Sequence, residues 1–353
     1  MKDETNNSTP QKSEQQRGDR RVGRIEYIDL AKGICILLVV LDHVSNEGYF
    51  SAGDYPLNEV FEQMRMPLYF ILSGIFYKDY QGGIREFLLR KTNRILIPYL
   101  FFIVLFRGVT WLVQHYTDFA STGANIAAIW GPLWFLRCLF FMNVIFAVAY
   151  YGIRCLGWGF IASEVLLGAV MFVLGIIGYH CGNLHLNFGT ALTCMPLLWS
   201  GYVLNRRLHL LQRRIPWWLA LPMALGMFVM VYFLYMGENF FYSNTYSSPL
   251  PLLYVSGFSG TLAVLLLSSV IKRLPVISYI GRYSIIVLCT HMTIVTLLVA
   301  ALHFLPGAQQ TDLMHSLVFL AVTLVGSMAC CWSLSRYLPW FTAQKDLIKV
   351  HRQ

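Results

Sequence analysis

Charge is scarce in this chain, and acidic charge scarcer still. Asp, Glu, Lys and Arg make up 13% of 353 residues, and 27 basic residues face 18 acidic ones. With 56% hydrophobic residues and a mean hydropathy of +0.55, the chain lies well outside the soluble norm. Other absences narrow the chemistry. The eight cysteines form no CxxC pair and no zinc spacing, and HExxH is missing, so no metal is expected. A Gly-rich phosphate loop after a strand and a GxSxG elbow are missing too. No internal repeat stands out, which counts against the inverted-repeat transporter folds. Residues 1–24 are polar and contain no cleavable signal, so they read as a disordered cytoplasmic tail.

What remains is apolar sequence in membrane-length runs. About ten spans are predicted, over 26–46, 59–77, 95–115, 132–152, 159–179, 190–204, 217–237, 251–271, 280–304 and 314–337. The loops on one side carry Arg17, Arg20, Arg85, Arg90, Lys91, Arg94, Arg154, Arg206, Arg207, Lys272 and Arg273, while the opposite loops carry no Lys or Arg. The positive-inside rule then makes both termini cytoplasmic. The net charge of +9 is mostly this topological signal rather than a nucleic-acid footprint. The expected fold is an all-α polytopic integral membrane bundle: tail 1–24, membrane domain 25–340 and cytoplasmic C-terminal tail 341–353. Pro67 falls inside the second span and should kink it. Cys181 and Cys194 lie toward the outside, which leaves a disulfide open.

The first span is the most informative. In LAKGICILLVVLDH, residues 30–43, an apolar run from Gly33 to Leu41 separates Lys32 from Asp42 and His43. Such a run is too short to span alone, since about 20 residues are needed, so its polar ends lie within the membrane. Ionisable groups there are costly and mark pathways or reaction sites. Lys32 and His43 are eleven residues apart, hence on nearly one helix face and roughly 16 Å from each other. An imidazole at that depth suits a general base. Asp42 is its chain neighbour but not its natural partner, because adjacent helical residues do not face each other. Asp42 is instead suited to binding substrate hydroxyls or pairing with an arginine.

In the second span, Arg65 either snorkels outward, contacts substrate, or pairs with an acid such as Asp42 or Glu62. Arg90, Lys91 and Arg94 fall within about one turn if their segment is helical. They suit lipid headgroups or a phosphate-bearing cosubstrate, and Lys32 faces the same side. Arg107, Arg137, Glu164 and His291 are further polar groups in apolar runs. Arg65, Ser73, Arg137 and His291 are candidates for substrate contact or oxyanion stabilisation.

Four segments together resemble the membrane-bound acyltransferase family 3, and within it the fucose 4-O-acetylase-like branch that modifies surface glycans. They are IEYIDLAKGICILLVVLDH (25–43), MPLYFILSG (66–74), RKTNRILIPY (90–99), and LWFL (133–136) with GRYSIIVLCTH (281–291). Lys32 stands where many members have Arg. The resemblance implies an acyl-CoA donor, usually acetyl-CoA, loaded from the cytoplasm. The acceptor it implies is a hydroxyl of an extracytoplasmic or lipid-linked carbohydrate, and the setting a bacterial inner membrane. It makes His43 the catalytic residue, as base or transient acyl carrier, and associates Lys32, Arg90 and Arg94 with the donor; Asp42 and Lys91 join these two groups by position. A competing reading from the residues alone is a transporter or flippase of a lipid-linked sugar, with Asp42, His43, Arg65 and His291 as a proton relay.

Overall fold

Hydrocarbon offers no partner to a backbone N–H or C=O, so an apolar chain satisfies those groups internally by forming helices. In the computed structural model, which describes residues 26–44, 58–117, 133–212, 215–303 and 313–349, the chain is an all-α bundle. Its helices are α1 (Glu26–Val44), α2 (Asn58–Ile75), α3 (Gly83–Lys91), α4 (Ile97–Thr117), α5 (Trp134–Cys155) and α6 (Phe160–Cys181). They continue as α7 (Phe188–Thr193), α8 (Met195–Gln212), α9 (Trp217–Phe233), α10 (Leu250–Ile271), α11 (Pro275–Arg282), α12 (Ser284–His303) and α13 (Leu313–Tyr337). Each expected span corresponds to one helix or to two consecutive ones. Six stretches are long and apolar enough to cross a membrane by length and composition: Gly83–Tyr116, Trp134–Cys155, Phe160–Cys181, Leu250–Ile271, Ser284–Leu302 and Leu317–Tyr337.

Helices α1 and α2 carry ionisable groups and sit inside. On α1, Leu30, Ala31, Cys35, Ile36, Val40 and Val44 are fully buried. The outer helices do the reverse: Ile161 of α6 and Phe233 of α9 are each 78% exposed, which suits a lipid-facing surface.

Two glycine pairs bring backbones into contact. A Cβ at Gly33 would strike the carbonyl of Ile277, and one at Gly281 would strike that of Asp29. The same reciprocal arrangement joins α2 to α8: a Cβ at Gly74 would meet the Leu198 carbonyl, and one at Gly201 that of Ile71. Small residues allow this approach where lipid provides no hydrophobic drive between helices. Pro67 lies within the continuous α2 and packs against Gly257 of α10.

Three local features depart from the expected layout. The basic segment after α2 is largely helical rather than a loop. Its Ile84, Phe87 and Leu88 have helical spacing, Phe87 is fully buried, and a π-helical turn, Thr92–Leu96, carries α3 into α4. The predicted span 280–304 is broken at Tyr283 into α11 and α12. On the side opposite the basic loops, strands β1 (Asn239–Phe240) and β2 (Thr245–Tyr246) pair antiparallel into a small hairpin. Buried polar bonds hold that hairpin down. The Asn239 N–H donates to Glu62 (2.6 Å), Asn187 Nδ2 to the Tyr242 carbonyl (2.6 Å), and Asn244 Nδ2 to the Gly178 and Gly182 carbonyls (2.8 and 2.7 Å). All eight cysteines are free thiols, Cys181 exposed and Cys194 buried.

Candidate active site

The glycine crossing sets the register for what lies above it. Gly33 and Gly281 are in contact, and ten residues further along each chain stand His43 and His291. Helix α1 and the α11–α12 segment run in parallel, so equal offsets bring the two imidazoles together. Their ring centroids are 5.0 Å apart, edge to face at 74°. Each ring is anchored by its own helix. His43 Nδ1 lies 2.8 Å from the Val39 carbonyl, and His291 Nδ1 lies 3.0 Å from that of Val287. A carbonyl only accepts, so Nδ1 donates in both rings, and in a neutral ring Nε2 then holds the lone pair. His291 is 2% exposed and its Nε2 has no partner among the described residues. An orphaned buried nitrogen is costly and calls for a role.

Asp42 and Arg65 form the neighbouring group. Arg65 Nη2 approaches Asp42 Oδ1 at 2.8 Å, and both side chains are partly buried. Of the roles open to Arg65, the structure takes the ion pair with Asp42 rather than snorkelling. Glu62, the other acid considered, accepts from the hairpin backbone at Asn239. The Arg65 carbonyl accepts from the Cys35 thiol (3.1 Å), which joins α2 to α1 one step below. Asp42 and His43 therefore point to different partners, as helix geometry requires.

At the other end of α1, Lys32 lies over the Phe76 ring, 3.6 Å from its centroid. Lys91 is within electrostatic reach of both Lys32 and Arg94, so residues from α1, α3 and the π turn form one basic cluster. Arg94 is the most exposed of them, at 59%. Arg90 is more committed: its guanidinium donates twice to Glu86 (2.8 and 2.6 Å) and lies 4.7 Å from the centre of the Tyr80 ring.

Four polar residues singled out in the sequence sit elsewhere. Ser73 is eight residues beyond Arg65 on α2, about 12 Å toward the basic end, so it belongs to the level of Lys32 rather than that of the imidazoles. Arg137 is buried and braces the turn before α7. Its Nε donates to the Leu186 carbonyl (3.0 Å), Nη1 to Tyr99 (3.3 Å) and Nη2 to Asn187 Oδ1. Leu186 and Asn187 both have left-handed backbones, at φ 61 and 59°, which explains why that turn needs bracing. Arg107 is exposed on α4, and Glu164 pairs with Arg206 at 3.0 Å. Sequence reasoning missed Tyr69, whose hydroxyl donates to Ser284 (3.2 Å) at the start of α12. Tyr69 lies in the MPLYFILSG segment and Ser284 in GRYS, so two quoted motifs meet there. Among the described residues, no group of three His, Cys, Asp or Glu is placed to hold a metal ion.

Residues 25–336 match the acyltransferase 3 family, described as an acyltransferase domain. No curated protein and no solved structure matches. The family match covers most of the chain, which therefore belongs to the membrane-bound acyltransferases of family 3 and is a multi-pass membrane protein.

Proposed function

We propose that this family member transfers an acyl group, acetyl by resemblance, from cytoplasmic acyl-CoA to a hydroxyl of an extracytoplasmic or lipid-linked carbohydrate in a bacterial inner membrane. One observation carries the reading. The buried helix α1 joins a basic cluster at one end to a pair of imidazoles at the other, through an apolar run of roughly 16 Å. A CoA nucleotide is bulky and polyanionic, and its pantetheine arm is long and thin. Lys32, Lys91 and Arg94 suit the phosphates. The arm then follows α1 and presents its thioester beside His43.

His43 acts as the general base. Its Nδ1–H is spent on Val39, so Nε2 accepts the proton of the acceptor hydroxyl. The freed oxygen attacks the thioester carbonyl, and the N–H groups of Arg65 not used by Asp42 receive the developing oxyanion. The C–S bond breaks, the CoA thiolate takes the proton from the imidazolium, and both histidines end neutral. The surrounding bundle excludes water, which protects the thioester. The family is one of acyltransferases, so relay-driven sugar transport is set aside.

The test is turnover of radiolabelled acetyl-CoA by purified protein in detergent. His43→Ala should lower transfer or donor hydrolysis by about 10²–10⁴-fold while the protein remains folded. Full activity in that variant sinks the mechanism. Label retained on the protein without acceptor replaces the base role with an acyl carrier at the same nitrogen.

A further inference from the structure

The family match ends at residue 336, yet the chain beyond it closes on the donor side of the molecule. Residues 338–349 turn back on themselves, with the N–H groups of Gln344 and Lys345 both donating to the Pro339 carbonyl (2.9 and 3.0 Å). The segment then lies against the π turn and the first turns of α4 at three points. Phe341 stacks on Phe101 with centroids 4.7 Å apart. Asp346 faces Arg94 at 3.8 Å. Asn93 makes the third and firmest contact. It is fully buried, its Oδ1 accepts from the N–H groups of Leu347 (3.0 Å) and Ile348 (2.9 Å), and its Nδ2 donates to the Ile348 carbonyl (2.9 Å). One side chain pairs with the strap backbone as a neighbouring strand would.

Asn93 sits between Lys91 and Arg94, within the π turn Thr92–Leu96. A π turn holds one residue more than an α-helical turn, and such bulges occur mostly at functional sites. If this one relaxed to α, the helix beyond it would rotate by about 100° relative to Lys91. With α4 fixed in the bundle, that rotation falls on α3 and turns Lys91 away from Lys32 of α1.

We propose that Asn93 is a positioning residue of the donor site: it docks the C-terminal strap 338–349, and the docked strap holds the π turn that aims Lys91 and Arg94 at the donor phosphates. This rests on the reading that the basic cluster takes acyl-CoA. The experiment uses the full-length protein and acetyl-CoA, and measures donor KM, acceptor KM and kcat. The variants are Asn93→Ala, Asn93→Asp, Ile348→Pro, the combination of Asn93→Ala with Ile348→Pro, and Arg94→Ala. Ile348→Pro deletes one N–H that Asn93 accepts and lies outside the bundle, so it carries the test if Asn93→Ala does not fold. Both single variants should raise donor KM about tenfold, with kcat and acceptor KM near wild type. The combination should be no worse than Asn93→Ala alone, because both remove the same docking. Asn93→Asp, which keeps the two accepting bonds, should fall between. If Arg94→Ala raises donor KM while Asn93→Ala and Ile348→Pro do not, the inference is wrong and the donor reading stands. A rise in Asn93→Ala without one in Ile348→Pro also overturns it, since Asn93 then acts without the strap. No effect of Arg94→Ala removes the donor reading and the inference together.

Discussion

At the scale of single residues, the site is a set of polar groups whose costs are unequal. His291 keeps an unpartnered nitrogen in a fully packed position. Leaving such a group unsatisfied costs about 1–3 kcal/mol. His291→Leu removes that cost and should leave thermal stability in detergent unchanged or higher. It should also lower kcat at least about tenfold, because the edge-to-face partner of His43 is gone. A fall in stability with full turnover would make His291 a packing residue. The Asp42–Arg65 pair behaves differently. Asp42→Asn strands a partly buried guanidinium and should destabilise by on the order of 2 kcal/mol, whereas Asp42→Asn combined with Arg65→Gln should recover part of the loss. A double-mutant cycle by thermal melting checks this. The Lys32–His43 spacing and the Asp42–Arg65 option were legible in the sequence, because ionisable groups in apolar helices have few places to go. The service of Arg137 to Leu186 and Asn187 was not, because the partners lie about fifty residues away in an irregular turn.

At the scale of elements, hydropathy located the helices and missed their interruptions. Apolar residues resume directly after Tyr283, and only the short GRYS stretch, residues 281–284, marks the break between α11 and α12. That break matters, since α11 makes the glycine contact with α1 and α12 carries His291. Gly33→Ala or Gly281→Ala places a methyl against a backbone carbonyl that cannot swing away. Such overpacking typically costs 1–3 kcal/mol, and here it also pushes apart the helices that bring the imidazoles together. Each variant should lose more activity than its melting temperature alone explains; wild-type kcat at lowered stability would separate the crossing from the site. The α3–α4 junction teaches the same lesson. The basic motif was visible, whereas the π turn and the strap docked on Asn93 arise from a contact some 255 residues long in sequence.

At the scale of the whole molecule, α1 and α2, which carry the paired imidazole and the Asp42–Arg65 ion pair, are central, and apolar surface suited to lipid surrounds them. Membrane class and helix content were readable from composition and hydropathy. The hairpin cap at 239–246 was not, because short polar loops carry little periodicity. The account gives the molecule a direction, with donor at the basic end of α1, chemistry at its far end, and acceptor beyond. Arg94→Ala should therefore raise donor KM and spare acceptor KM. The most direct test of the central claim is a sided assay in sealed vesicles of uniform orientation. Labelled acetyl-CoA is supplied only to the basic face and the carbohydrate acceptor only to the opposite face. The account predicts labelled acceptor with the wild-type protein and none with folded His43→Ala. Equal labelling by the two proteins would contradict it.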